Sequence, residues 1–151
     1  MSALRVLIIG GNGIISASSS RLAVERGMEL TLLNRGTDAT RPPIAGAESI
    51  VGDAGDPASI RAAVGDREFD VVANFRAFTP DQVEADVELF EGRTAQYIFI
   101  SSASAYQKPI AHLPITEATP LHNPFWQYSR DKIACEDVLV RAYRATGFPM
   151  T

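Results

Sequence analysis

The chain is poor in the residues that build covalent or metal-based architecture. Of its 151 residues only Cys135 is a cysteine, so no disulfide can form within it and CxxC or zinc-type clusters are excluded. Its two histidines, His112 and His122, lie in a proline-containing stretch without metal-ligand spacing and read as loop residues. No apolar run approaches the roughly 20 residues needed to cross a bilayer. No leader-like apolar segment precedes the first hydrophobic run, so cytoplasm is the expected compartment, with no membrane partner. Positive charge is also short: the net charge of -4 argues against nucleic acid as a partner, since phosphate-backbone binders carry a basic face. Internal repeats and low-complexity tracts are absent.

What is present is an ordinary globular composition, 46% hydrophobic and 21% charged, in a length that suits one domain over residues 1–151. The first expected strand, about Leu4 to Ile9, carries the apolar run Val6-Leu7-Ile8-Ile9, which ends in Gly10-Gly11-Asn12-Gly13 and is followed at once by a helix-compatible segment, Ser16 to Arg26. Strand, tight turn and helix in that order are the arrangement of a dinucleotide-binding unit, and also of an ordinary βα turn with no ligand. One glycine permits the turn, and another lets a diphosphate approach the backbone at the positive end of the helix. Ser16 stands at the third small position, where it still permits close helix-to-strand packing. On the helix, Ile15, Ser18, Ser19, Leu22 and Ala23 fall at helical spacing.

Further strands are expected at Glu29 to Leu33, Ser49 to Val51, Asp70 to Asn74 and Gln96 to Ile100, with a loop from Thr37 to Gly46. Helices are expected from Pro57 to Val64, capped by Asp56, and from Thr79-Pro80 to about Phe90. On the latter, Asp81, Glu84, Asp86, Glu88 and Glu91 read as a solvated face. The loop from Gln107 leads to Asn123, read as the cap of a last helix opened by Pro124 and closed near Gly147. This alternation predicts a doubly wound parallel sheet, a Rossmann fold, whose ligands sit at the carboxyl ends of the strands.

Chemistry-bearing residues fall at those ends. The tip of strand two, Asn34-Arg35, has no acid for a ribose 2′-hydroxyl and offers an arginine for a 2′-phosphate, so NADP is favoured over NAD. Asp53, at the end of strand three, could reach an adenine amino group or serve its own turn. Strand five ends in Ser101-Ser102-Ala103-Ser104, and Ser102 is the candidate to orient a substrate oxygen, with Ser101 and Ser104 as competitors. Tyr128 and Lys132, four apart on the last helix, share a face with Cys135, Leu139 and Ala142 and so point inward. An ammonium beside the phenol favours the tyrosinate form, which suits Tyr128 to exchange a proton with a carbinol. Cys135 reads as a small core residue.

Gly10-Gly11-Asn12-Gly13-Ile14-Ile15, Asp53, the Tyr97–Tyr106 segment and the Tyr128/Lys132 pair together resemble the N-terminal part of an extended short-chain dehydrogenase/reductase of the NAD-dependent epimerase/dehydratase family. The resemblance covers essentially the whole chain. It implies catalytic Ser102, Tyr128 and Lys132, and cofactor contacts at Gly10, Gly11, Asn12, Gly13, Ile14, Ile15, Asn34, Arg35, Asp53 and Lys132. The implied activity is oxidoreduction, epimerisation or dehydration at a carbinol or carbonyl of a nucleotide-sugar-like small molecule, by hydride transfer with a nicotinamide dinucleotide. A homodimer through the helix after strand four and the last helix is common in such folds. Asn34-Arg35-Gly36 also resembles an atypical subgroup related to plant chloroplast RNA-binding proteins, so a non-catalytic dinucleotide-binding or RNA-binding protein is the alternative. Phe148-Pro149-Met150-Thr151 reads as the opening of a sixth strand, and the family pattern implies a chain cut before its substrate lobe, with little or no turnover on its own.

Overall fold

The computed structural model describes residues 2–36 and 42–151. Residues 37–41 of the expected loop lie outside them. Five parallel strands form one sheet: β1 Arg5–Ile9, β2 Glu29–Asn34, β3 Glu48–Val51, β4 Phe69–Asn74 and β5 Thr94–Phe99, in the order β3-β2-β1-β4-β5. The helices are α1 Ser16–Glu25, α2 Pro57–Val64, α3 Pro80–Phe90 and α4 Gln127–Thr146, with a short 3-10 turn at Ala103–Ala105. This is the doubly wound parallel sheet expected from the alternation of elements.

Strand residues alternate between two cores because successive side chains leave opposite faces of the pleat. Leu7, Ile9, Leu33, Val72 and Tyr97 meet side chains of α2, α3 and α4, including Ile60, Val83, Phe90, Cys135 and Leu139. Val6, Ile8, Leu30, Leu32 and Ala73 meet Ala23 of α1 on the other face. Both faces of the central strands are therefore covered, which accounts for the unbroken apolar run Val6–Ile9 of β1.

The expected face of α1 is corrected. Ser16, Ser20 and Ala23 are the buried positions, whereas Ser18, Ser19 and Leu22 are exposed and Ile14 and Ile15 are 90% and 75% exposed. Hydroxyl chemistry decides this register. Ser16 Oγ accepts from Gly13 N at 2.8 Å and donates to Gly10 O at 2.6 Å, and Ser20 Oγ donates to Gly11 O at 2.8 Å. The small buried face lets the helix lie directly on the turn.

The acidic face of α3 needs a second correction. Asp81, Glu84, Glu88 and Glu91 are exposed, but Asp86 is 2% exposed. It sits three residues after Val83 and three before Leu89, on the core stripe. Its carboxylate accepts from Asn74 Nδ2 at 2.6 Å and Tyr97 OH at 2.5 Å. Burial raises the carboxyl from the usual 3.8 to about 6 and holds the Tyr97 hydroxyl well above its ordinary value.

The helix caps follow the sequence in part. Asp56 Oδ1 accepts from Ala58 N at 3.0 Å, and Gln82 Oε1 accepts from Thr79 N at 3.3 Å at the start of α3. Asn123 does not cap α4, which begins at Gln127 with Trp126 before it. Asn123 Oδ1 instead accepts from Phe125 N at 3.1 Å, closing a separate turn ahead of the helix. At the far end, Met150 pairs in parallel with Tyr97. Tyr97 N donates to Pro149 O at 2.7 Å and Phe99 N to Thr151 O at 2.9 Å, so this segment runs beside β5 as a sixth strand would.

Candidate functional site

The strand order reverses between β1 and β4, where Ile9 pairs with Asn74. An open parallel sheet binds its ligand outside such a reversal, at the carboxyl ends. Gly10 leaves β1 at φ +80°, a conformation that favours glycine, and its N–H donates to Leu33 O at 2.9 Å, tying the turn to β2. A Cβ on Gly11 would lie 2.4 Å from Leu32 Cδ2 and 3.1 Å from Ser20 Oγ, so only glycine lets the strand, the turn and α1 approach this closely.

A cleft of about 390 Å³ opens over the turn, lined among others by Gly10, Asn12, Gly13, Asn34, Arg35 and Asp53. The structure thus brings together the glycines, the β2 tip and the β3 tip named from sequence. Asn12 Nδ2 donates to Pro42 O at 3.3 Å across the rim. Asp53 serves its turn, since Oδ1 accepts from Gly55 N at 2.9 Å, and it borders the cleft as well. Ile14 and Ile15 direct their side chains to solvent, leaving their backbone at the amino end of α1, where a helix offers N–H groups without intrahelical partners.

A second cluster forms where β4, β5 and α4 meet. Lys132 is 2% exposed, and its Nζ donates to Ala77 O and to Ile100 O, each at 2.7 Å. The ammonium lies 4.5 Å from the centre of the Phe99 ring and 5.0 Å from that of Phe78. Burial lowers its pKa from the usual 10.5 to about 8, and the Glu136 carboxylate opposes that shift. Tyr128, half-buried one turn earlier, has its ring centre 5.9 Å from Lys132 Nζ. It packs against Trp126 at 4.8 Å and Phe78 at 6.2 Å. Cys135 is fully buried, with its thiol pushed up to about 11 by desolvation, as fits a core residue.

The three candidate serines separate here. Ser101 Oγ donates to Glu136 on α4. Ser102 Oγ lies 2.8 Å from Ser104 Oγ, which accepts from Ser129 Oγ at 2.9 Å. Asn123 Nδ2 donates to Ser129 Oγ at 3.2 Å and Ser104 O at 2.8 Å. A chain of hydroxyls therefore joins Ser102 at the end of β5 to the residue beside Tyr128 on α4. Sequence reading missed Ser129 and Asn123 in this chain. Their only signals are a polar residue next to the tyrosine and an Asn-Pro pair that looks like a cap.

Sequence reading also missed Arg76. It follows β4, lines the cleft with the glycines and carries its guanidinium 5.0 Å from the Phe78 ring. The ring it covers is the one beside Lys132 and Tyr128, so Arg76 and Phe78 separate the two clusters. The glycine cradle, the arginines and the inward lysine fit a dinucleotide lying from one cluster to the other. Among the described residues no group of three or more His, Cys, Asp or Glu could hold a metal ion. Among the same residues no helix is long and apolar enough to cross a membrane.

Comparison with known proteins agrees with this fold. The NAD dependent epimerase/dehydratase family matches residues 6–151. A UDP-glucose 4-epimerase of Lactobacillus helveticus is 28% identical over 98% of this chain and 50% of its own length. The chloroplast stem-loop binding protein of 41 kDa b of Arabidopsis thaliana is 28% identical over 69% of this chain and 30% of its own. The solved dTDP-glucose 4,6-dehydratase of Bacillus anthracis, in complex with NAD, superimposes with a TM-score of 0.78 at 17% identity, over 98% of this chain and 53% of that one. The chain thus spans half or less of the length of the curated relatives it matches.

Proposed function

The chain belongs to the NAD-dependent epimerase/dehydratase family, and from that membership we propose that it is the dinucleotide-holding part of an enzyme that modifies a nucleotide-sugar-like substrate at a carbinol or carbonyl. The observation that carries this reading is the buried Lys132 ammonium, fixed by two carbonyls at 2.7 Å beside the Tyr128 ring. An ammonium has three donors. Two are spent on Ala77 O and Ile100 O, which leaves one for a ligand hydroxyl such as the nicotinamide ribose.

The bound nicotinamide would supply hydride exchange with the substrate carbon. Tyr128 would give or take the proton of the substrate oxygen, with the neighbouring ammonium stabilising the charge that develops. Ser102 would donate to that same oxygen, its hydroxyl oriented through Ser104 and Ser129. With burial setting its pKa near 8, Lys132 is mostly protonated at neutral pH, and its contribution falls as pH rises through about 8. The adenosine half would occupy the cleft over the glycines. NAD is the cofactor the family name carries; Arg35, standing where NAD users place an acid, supports a preference for NADP. The chloroplast relative supports a second reading, RNA binding, which the net charge of -4 opposes.

Calorimetric titration of the chain with NAD+ and NADP+ tests the first reading. NADP+ is expected to bind more tightly, Arg35→Ala to erase the difference, and Tyr128→Phe to leave both affinities unchanged. Binding of neither dinucleotide, with an RNA gel shift that weakens steeply with salt, would reverse the order of the two readings.

A further inference from the structure

Resting on the dinucleotide reading, we propose that Arg76 is the side chain that receives the ligand's diphosphate. It follows β4 at the point where the strand order reverses, directly beside the β1 turn. Its stem lies on Gly10: a Cβ built there would be 2.3 Å from Arg76 Cγ and 3.0 Å from Cδ. Its guanidinium has no carboxylate partner among the described residues, whose ion pairs are Arg5–Asp70 and Arg67–Glu48. It rests on the Phe78 ring instead, an arrangement that leaves its N–H groups at the ring edge free for an anion.

Position and chemistry agree. The adenosine cleft lies on one side of Arg76 and the Tyr128/Lys132 cluster on the other. A dinucleotide that serves both must cross Arg76 with its middle, and its middle is a diphosphate. The turn itself is short of a donor, because Gly13 N already donates to Ser16 Oγ at 2.8 Å. A guanidinium with five N–H groups in a planar fork makes up that loss and matches phosphate geometry. Arg35, at the tip of β2, is left to the ribose end.

The test is titration of the whole chain with adenosine, ADP and ADP-ribose, comparing wild type with Arg76→Met and Arg76→Lys. Methionine keeps an apolar stem over Gly10 and removes the charge. Loss of a charge-assisted contact is expected to weaken ADP and ADP-ribose roughly ten- to hundred-fold, leave adenosine within about twofold, and be partly restored by lysine. Equal weakening of all three ligands would make Arg76 a structural cover and overturn the assignment. Wild-type affinity for ADP-ribose in Arg76→Met would overturn it too, while sparing the dinucleotide reading. A wild-type chain that binds neither ADP nor ADP-ribose would remove both.

Discussion

At the scale of single residues, Asp86 holds the largest electrostatic tension among the described carboxylates. Its pKa rises from 3.8 to about 6 on folding, so the folded state binds more protons than the unfolded one between those values. Stability from this group is complete below pH 3.8 and is lost as pH rises through 6, a cost of roughly 3 kcal/mol at neutrality. Asp86→Asn retains an oxygen for Asn74 Nδ2 and Tyr97 OH without the charge. Urea unfolding of variant and wild type at a series of pH values is therefore expected to give a difference that grows in the variant's favour from pH 4 to pH 7. A difference independent of pH would refute the assignment. The sequence hid Asp86 because four true surface acids surround it, and only the three-residue spacing from Val83 marks it as inward. Arg76 was hidden for the opposite reason: nothing local distinguishes an arginine after a strand until the neighbouring strand turns out to be β1.

At the scale of elements, the strand-turn-helix unit was legible, down to its small third position, because backbone sterics leave few residues able to serve there. The helical face was less so, since it is set by two hydroxyl bonds to the turn and not by the apolar pattern that an amphipathic helix normally displays. The start of α4 was misplaced for a related reason. Asn-Pro fits a cap, but Asn123 spends its amide on Ser104 and Ser129, and the helix begins after the aromatic pair Phe125-Trp126. The close contact at Gly11 gives a prediction. Gly11→Ala is expected to cost ~1–3 kcal/mol through the 2.4 Å approach to Leu32 Cδ2, read as a lower urea midpoint with the slope unchanged. An unchanged midpoint would mean that the turn yields where the packing says it cannot.

For the whole molecule, parallelism of the strands was legible in the alternation of elements, whereas their order β3-β2-β1-β4-β5 was not, and the candidate site came from the rule that ligands gather at strand ends. What joins the last four residues to the rest is not local. Phe148 is 1% exposed and its ring centre is 5.4 Å from that of Tyr97, the same tyrosine that donates to Asp86. Phe148→Ala is expected to cost ~3–5 kcal/mol in thermal or urea unfolding. Because Tyr97 couples the two, its effect with Asp86→Asn should be non-additive in a double-mutant cycle. Simple additivity would show the two ends of Tyr97 to be independent.

Lys132 carries one more consequence, for how such a chain diverges. Its ammonium draws the main chain after β4 and the end of β5 onto α4, so the residue holds shape whatever chemistry is asked of it. Tyr128 is half-buried and packs its ring against Phe78 and Trp126, holding no main chain in place. A descendant without need of the proposed chemistry would forfeit only half-buried ring packing by losing the phenol, yet would strand two inward carbonyls by losing the amine. In such a lineage the tyrosine is expected to be the first of the pair to drift, and the lysine to outlast it.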